Sequence, residues 1–100
     1  MIVNVVMLAF QPETQIYPIY VPNGATMPVD QLLDAVFIIG NHDDRPHAEH
    51  FCSVSCGDVA LVGEDRYLCA RNGWKKLTIN EMVRYSAMDR MDRVFCDLMK

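Results

Sequence analysis

Apolar and β-branched residues fill IVNVVMLAF at positions 2–10, which predicts a largely buried first strand. Gln11-Pro12-Glu13-Thr14 supplies turn chemistry, and a second strand resumes from Gln15 to Val21. Pro18 cannot donate to a ladder, so that strand belongs on a sheet edge or at a bulge. From Pro28 to Ile39 the period changes. Val29, Leu32, Leu33, Val36 and Ile39 or Phe37 recur at helical spacing, with Pro28 suited to the first helical position and Gly40 to the residue just past the end. After a polar loop at 41–51 (NHDDRPHAEHF), a strand is predicted from Ser53 to Val62, interrupted near Cys56-Gly57-Asp58. Gly63-Glu64-Asp65 turns it into a strand at Arg66–Arg71, and Asn72-Gly73 signals a second hairpin because both residues tolerate positive φ.

Thr78-Ile79-Asn80-Glu81 has the form of a capping box and predicts one final helix over 78–100. Its apolar stripe would be Ile79, Met82, Val83, Ala87, Met91, Val94, Phe95 and Leu98, with Asp89 and Arg93 paired at i, i+4 on the surface. The order is therefore ββαβββα. It predicts an α+β fold with a mainly antiparallel sheet covered by two helices, all within one domain spanning 1–100.

The chain has 100 residues, 51% hydrophobic and 22% charged, a balance that argues against disorder. Net charge is −4, which disfavours a generic binder of phosphate backbones. No apolar run is long enough to span a membrane, and MIVNVVMLAF lacks the basic start and cleavage site of a secretory signal. A cytoplasmic setting with reduced thiols is the expectation. The charge is also uneven. Residues 1–50 carry Arg45 against Glu13, Asp30, Asp34, Asp43, Asp44 and Glu49, whereas residues 51–100 are nearly balanced. An acidic face opposite a mildly basic one favours protein partners.

His42, His47, His50, Cys52 and Cys56 put five metal-capable side chains in fifteen positions. His47-x2-His50 and Cys52-x3-Cys56 have chelating spacing for zinc. A strand at 53–62 would hold the two cysteines extended rather than looped into a knuckle, and adjacent acids and histidines also suit a solvated loop. No metal or other cofactor is assigned on this basis. Catalysis by Cys52 or Cys56 would need a facing base, which His50 does not provide from two residues along a strand. No phosphate-binding glycine motif occurs. Arg66, Tyr67, Arg71, Trp74, Lys75 and Lys76 interleave charge with aromatics, as a single-strand nucleic-acid surface would. The competing reading buries Tyr67 and Trp74 and leaves the cations in water. Met82, Met88, Met91 and Met99 make the last helix a candidate dimerisation face.

Ser53-Val54-Ser55-Cys56-Gly57-Asp58-Val59, then Tyr67-Leu68-Cys69, then Gly73-Trp74-Lys75-Lys76-Leu77, resembles the pattern of small phage and plasmid proteins related to the YodL-like domain of mobile-element polyvalent proteins. VVMLAFQP and LLDAVFIIGNHD are similar to the same proteins, so the likeness covers most of 3–77, a core of 1–77 to which 78–100 is an extension. Cys56 departs from the pattern, where an apolar residue is usual, and the histidine-rich loop is not part of it. The resemblance implies a mobile-element setting and no catalytic residue. The expectation is a non-enzymatic phage-type protein that binds and inhibits a host protein, an anti-defence (anti-CRISPR-type) inhibitor being the most concrete version. Asp30, Asp34, Asp43, Asp44, Glu49 and Trp74 are the expected partner-binding residues. A nucleic-acid module on the 66–76 hairpin and a zinc-stabilised domain on 42–56 are the alternatives.

Overall fold

A computed structural model describes residues 1–100. Five strands form one antiparallel sheet: β1 (Ile2–Met7), β2 (Gln15–Tyr20), β3 (Val59–Val62), β4 (Asp65–Ala70) and β5 (Gly73–Leu77), in spatial order β2-β1-β3-β4-β5. Helix α1 (Val29–Gly40) follows β2, and α2 (Ile79–Ala87) and α3 (Arg90–Phe95) follow β5. Single 3₁₀ turns lie at Gly24–Thr26 and Asp97–Met99. The fold is α+β, as the pattern predicts, with helices on both faces of the sheet.

The two faces have separate cores, because alternation along each strand sends apolar side chains both ways. Val3, Val5, Met7, Tyr17, Ile19 and Ala60 meet Leu32, Leu33 and Val36 of α1 on one face. Val59, Leu68, Ala70 and Leu77 meet Tyr85, Leu98 and Met99 on the other. Pro18 sits on the edge strand, where a missing N–H leaves no ladder bond unmade.

Several boundaries differ from the sequence reading, each for a local reason. β1 stops at Met7 instead of Phe10 because the N–H groups of Leu8 and Ala9 donate to the Asp58 carboxylate, not to a strand. β2 ends at Tyr20, and Pro28 is the N-cap of α1 instead of its first residue. Gly40 lies inside α1, with Asn41 as the C-cap. It is pressed against Val54, whose Cγ2 would stand 2.4 Å from an added Cβ. Of the predicted strand 53–62 only Val59–Val62 forms. In the β4–β5 hairpin the two-residue loop is Arg71-Asn72; Gly73, at φ 113°, opens β5, and Asn72 keeps negative φ.

The capping box forms as predicted: Thr78 N–H donates to Glu81 Oε1 at 2.9 Å, and Glu81 N–H donates to Thr78 Oγ1 at 3.1 Å. The single helix over 78–100 does not. Met88 is extended, and Asp89 starts α3 by accepting from Asp92 N–H. Arg93 then turns back. Its guanidinium donates to the carbonyls of Tyr85 and Ser86, at the end of α2, and to Leu8 O. Met88 N–H also closes on Tyr85 O at 3.2 Å, so the end of α2 is satisfied by a backbone cap and the Arg93 side chain together. Asp89 and Arg93 therefore do not form the expected surface ion pair. The predicted apolar stripe is likewise redrawn: of its members Leu98 is fully buried, Met82 is half-buried, and Ile79, Val83, Met91, Val94 and Phe95 are exposed.

Candidate functional site

On the α1 face the helix packs over β2 and β1 and stands beside the β4–β5 hairpin. A groove of about 410 Å³ runs between them, lined by Asp34, Phe37 and Ile38 from α1 and by Cys69, Arg71 and Trp74 from the hairpin. Positions 30, 34, 37, 38 and 41 share one side of a helix, so Asp30 lies one turn before Asp34 along the same wall. Ile38 is 67% exposed and Phe37 38%, an unusual exposure for two adjacent large apolar residues. Trp74 stands opposite Cys69 in the ladder and packs half-buried against the α1-side core.

The wall is strongly negative. Asp30, Asp34, Asp43 and Asp44 are all exposed, and none forms an ion pair within 4.0 Å. No basic residue lies in the last turn of α1, so its carbonyl end adds partial negative charge next to Asp43 and Asp44. Arg45, the nearest cation in sequence, is directed inward and donates to the carbonyls of His42 and Phe51. The structure thus brings Asp34 and Trp74 to one groove, sets Asp30 one turn earlier on the same helix, and leaves Asp43 and Asp44 in the turn that follows it. Glu49 is elsewhere. It pairs with His50 at 3.6 Å and borders a shallow recess with Gln11 and Pro12.

The metal-capable side chains do not converge, and no three His, Cys, Asp or Glu side chains are grouped to hold an ion. His42 Nδ1 accepts from Asp44 N–H, His47 and His50 flank Gln15 and Pro18, and Cys52 borders the recess of Gln11. The extended placement of Cys52 and Cys56 is also corrected, since 53–58 is irregular and turns at Ser55–Asp58. The aromatic and basic residues of the hairpin split between the two sheet faces. Tyr67 and Trp74 pack into the α1-side core, Arg66 and Arg71 bond the carbonyls of Glu64 and Val94, and Lys76 pairs with Asp65 at 3.5 Å.

Asp58 proves to be a structural hub. Its carboxylate, 1% exposed, accepts from the N–H groups of Leu8, Ala9 and Ser55 at 2.8–2.9 Å. Burial raises its pKa above the usual carboxylate value, and the three N–H donors pull it back down. The Tyr85 hydroxyl, buried beneath the same turn, donates to Gly57 O at 2.7 Å. A second recess, about 230 Å³ and almost wholly apolar, opens beside it between Phe10, Cys56, Met91 and Val94. No family model matches this chain, and neither a curated protein nor a solved structure matches it.

Proposed function

We propose that this chain is a non-enzymatic phage or mobile-element protein that binds and inhibits a host protein, of the anti-defence (anti-CRISPR) kind, through the groove between α1 and the β4–β5 hairpin. The carrying observation is Asp34, unpaired and lining the groove beside exposed Phe37 and Ile38, with unpaired Asp30 one turn earlier on α1 and unpaired Asp43 and Asp44 in the turn after it. Carboxylates without partners attract a basic surface and speed encounter with it, and the apolar strip supplies contact once water leaves. A basic nucleic-acid channel on a host protein complements that pattern in sign.

The test is co-purification from host extract, followed by binding kinetics with the captured protein. Asp30→Lys combined with Asp34→Lys is expected to slow association on the order of tenfold at low salt, and Trp74→Ala or Phe37→Ala to speed dissociation. Capture that survives all four changes removes the groove from the proposal. The second partner in this reading is another copy of the chain, held through the C-terminal helices. Phe95, 74% exposed, stands as a knob on the same segment whose Met91 and Val94 border the 230 Å³ apolar recess. A light-scattering mass of one chain across micromolar concentrations would rule that contact out.

A further inference from the structure

We propose that Cys56 and Cys69 form a thiol–disulfide exchange site, at which Cys56 attacks a small-molecule disulfide of the glutathione type and Cys69 resolves it into an intramolecular bond. The backbone brings the two together. Ser55–Asp58 is a turn closed by Asp58 N–H donating to Ser55 O at 3.0 Å, with Gly57 at φ 107° in the position where a type II turn needs glycine. The chain then bulges: Gly57 N–H donates to Cys69 O at 2.8 Å, and Cys69 N–H donates to Asp58 O at 2.9 Å. Two residues thus face one across the ladder, and such a bulge re-aims the neighbouring side chain. The Cys56 thiol is aimed at β4, where it donates to Ala70 O at 3.5 Å, one residue from Cys69. Both thiols line the same groove.

Access differs between them as a two-step exchange requires. Cys56 is exposed, so a tripeptide disulfide reaches it from solvent, whereas Cys69 is 4% exposed. Burial, with the charge and hydrogen bonding of Cys56 second, pushes the Cys69 thiol up to about 12, as suits the buried, resolving member of the pair. In the first step the Cys56 thiolate bonds to one sulfur of the external disulfide and expels the other as a thiolate. In the second, Cys69 loses its proton and its sulfur attacks the Cys56 sulfur, expelling the second external thiolate. The protons given up by the two cysteines end on the two released thiols. Two protein thiols are oxidised and one external disulfide is reduced. Cys52 and Cys96 lie in other parts of the structure, one by the Gln11 recess and one against the opposite core.

The experiment uses the full chain carrying Cys52→Ser and Cys96→Ser, incubated anaerobically with oxidised glutathione and mapped by peptide mass spectrometry. The expected result is loss of both remaining free thiols, a Cys56–Cys69 crosslink and no retained glutathione. Cys69→Ala in that background should instead trap glutathione on Cys56, and Cys56→Ala should leave Cys69 unmodified. A stable glutathione adduct on Cys56 in the presence of Cys69 would overturn the proposal, as would a crosslink no faster than in urea-unfolded chain. These readings need no binding partner, so they stand or fall separately from the host-protein proposal.

Discussion

The Asp58 carboxylate joins the end of β1 to the turn that precedes β3, with Oδ1 serving Leu8 and Ala9 and Oδ2 serving Ser55. An amide in its place would point an N–H₂ group at one of these donors. Asp58→Asn is expected to lower stability by about 2–4 kcal/mol, since bonds to a charged acceptor are lost and a buried N–H is orphaned; urea denaturation reads it directly. A second residue-scale effect appears in alkali. Cys69 and Tyr85 both ionise later in the folded protein than unfolded, chiefly through burial. A folded pKa raised above its unfolded value gives stability that is complete below the unfolded pKa and is lost as pH climbs toward the folded one. For Cys69 that window runs from 9.0 to about 12, and for Tyr85 it opens at 10.0. The denaturation midpoint should therefore fall steadily above about pH 9, and Cys69→Ala should flatten the first part of that fall. Of these residues, Thr78 and Glu81 were legible in the chain because their partners are three positions apart. The partners of Asp58 and Arg93 are far along the sequence, so spacing alone pointed Arg93 at Asp89.

At the scale of elements, α1 and the strands follow their periodicity, while the C-terminal segment shows where periodicity fails. A 3.6-residue pattern continues from Ile79 to Leu98, yet Tyr85 anchored on Gly57 O and Arg93 capping α2 hold the two helices at an angle the pattern does not encode. The strand expected at 53–58 is lost for a similar reason, since the Ser55–Asp58 turn is held by Asp58 and Gly57 instead of a ladder. Gly40 makes the same point as a measurable quantity. Alanine in a helix is normally worth up to about 1 kcal/mol over glycine. Here the added methyl would meet Val54 Cγ2 at 2.4 Å, Val54 Cβ at 3.0 Å and Ile19 Cδ1 at 3.1 Å. Gly40→Ala is expected to destabilise by about 1–3 kcal/mol, the usual range for overpacking. A rise in thermal midpoint on that substitution would show that Val54 yields without cost.

For the molecule as a whole, the acidic half of the chain becomes a surface because α1 and the loop after it lie together outside one sheet face. The sequence identified those acids and Trp74 separately. The meeting of Asp34 with Trp74 in one groove depends on β5 sharing that face with α1, a matter of strand order that no local pattern states. Glu49 had the same charge signal and lies apart, because residues 41–52 fold back so that Phe51 stacks on Tyr17 with ring centroids 4.4 Å apart.

Strand order has a further consequence for how the chain reaches this shape. β3, β4 and β5 are joined by two-residue loops, and β1 meets β2 across residues 8–14. The seam between β1 and β3, where Val6 faces Val59, instead closes a span of about fifty residues, and long closures slow folding. During synthesis the β1–β2 hairpin would thus leave the ribosome well before its neighbour exists, with Val3, Val5 and Val6 unprotected. The nascent chain passes through an interval in which holdase binding or aggregation competes with assembly, and that interval closes only when β3 arrives.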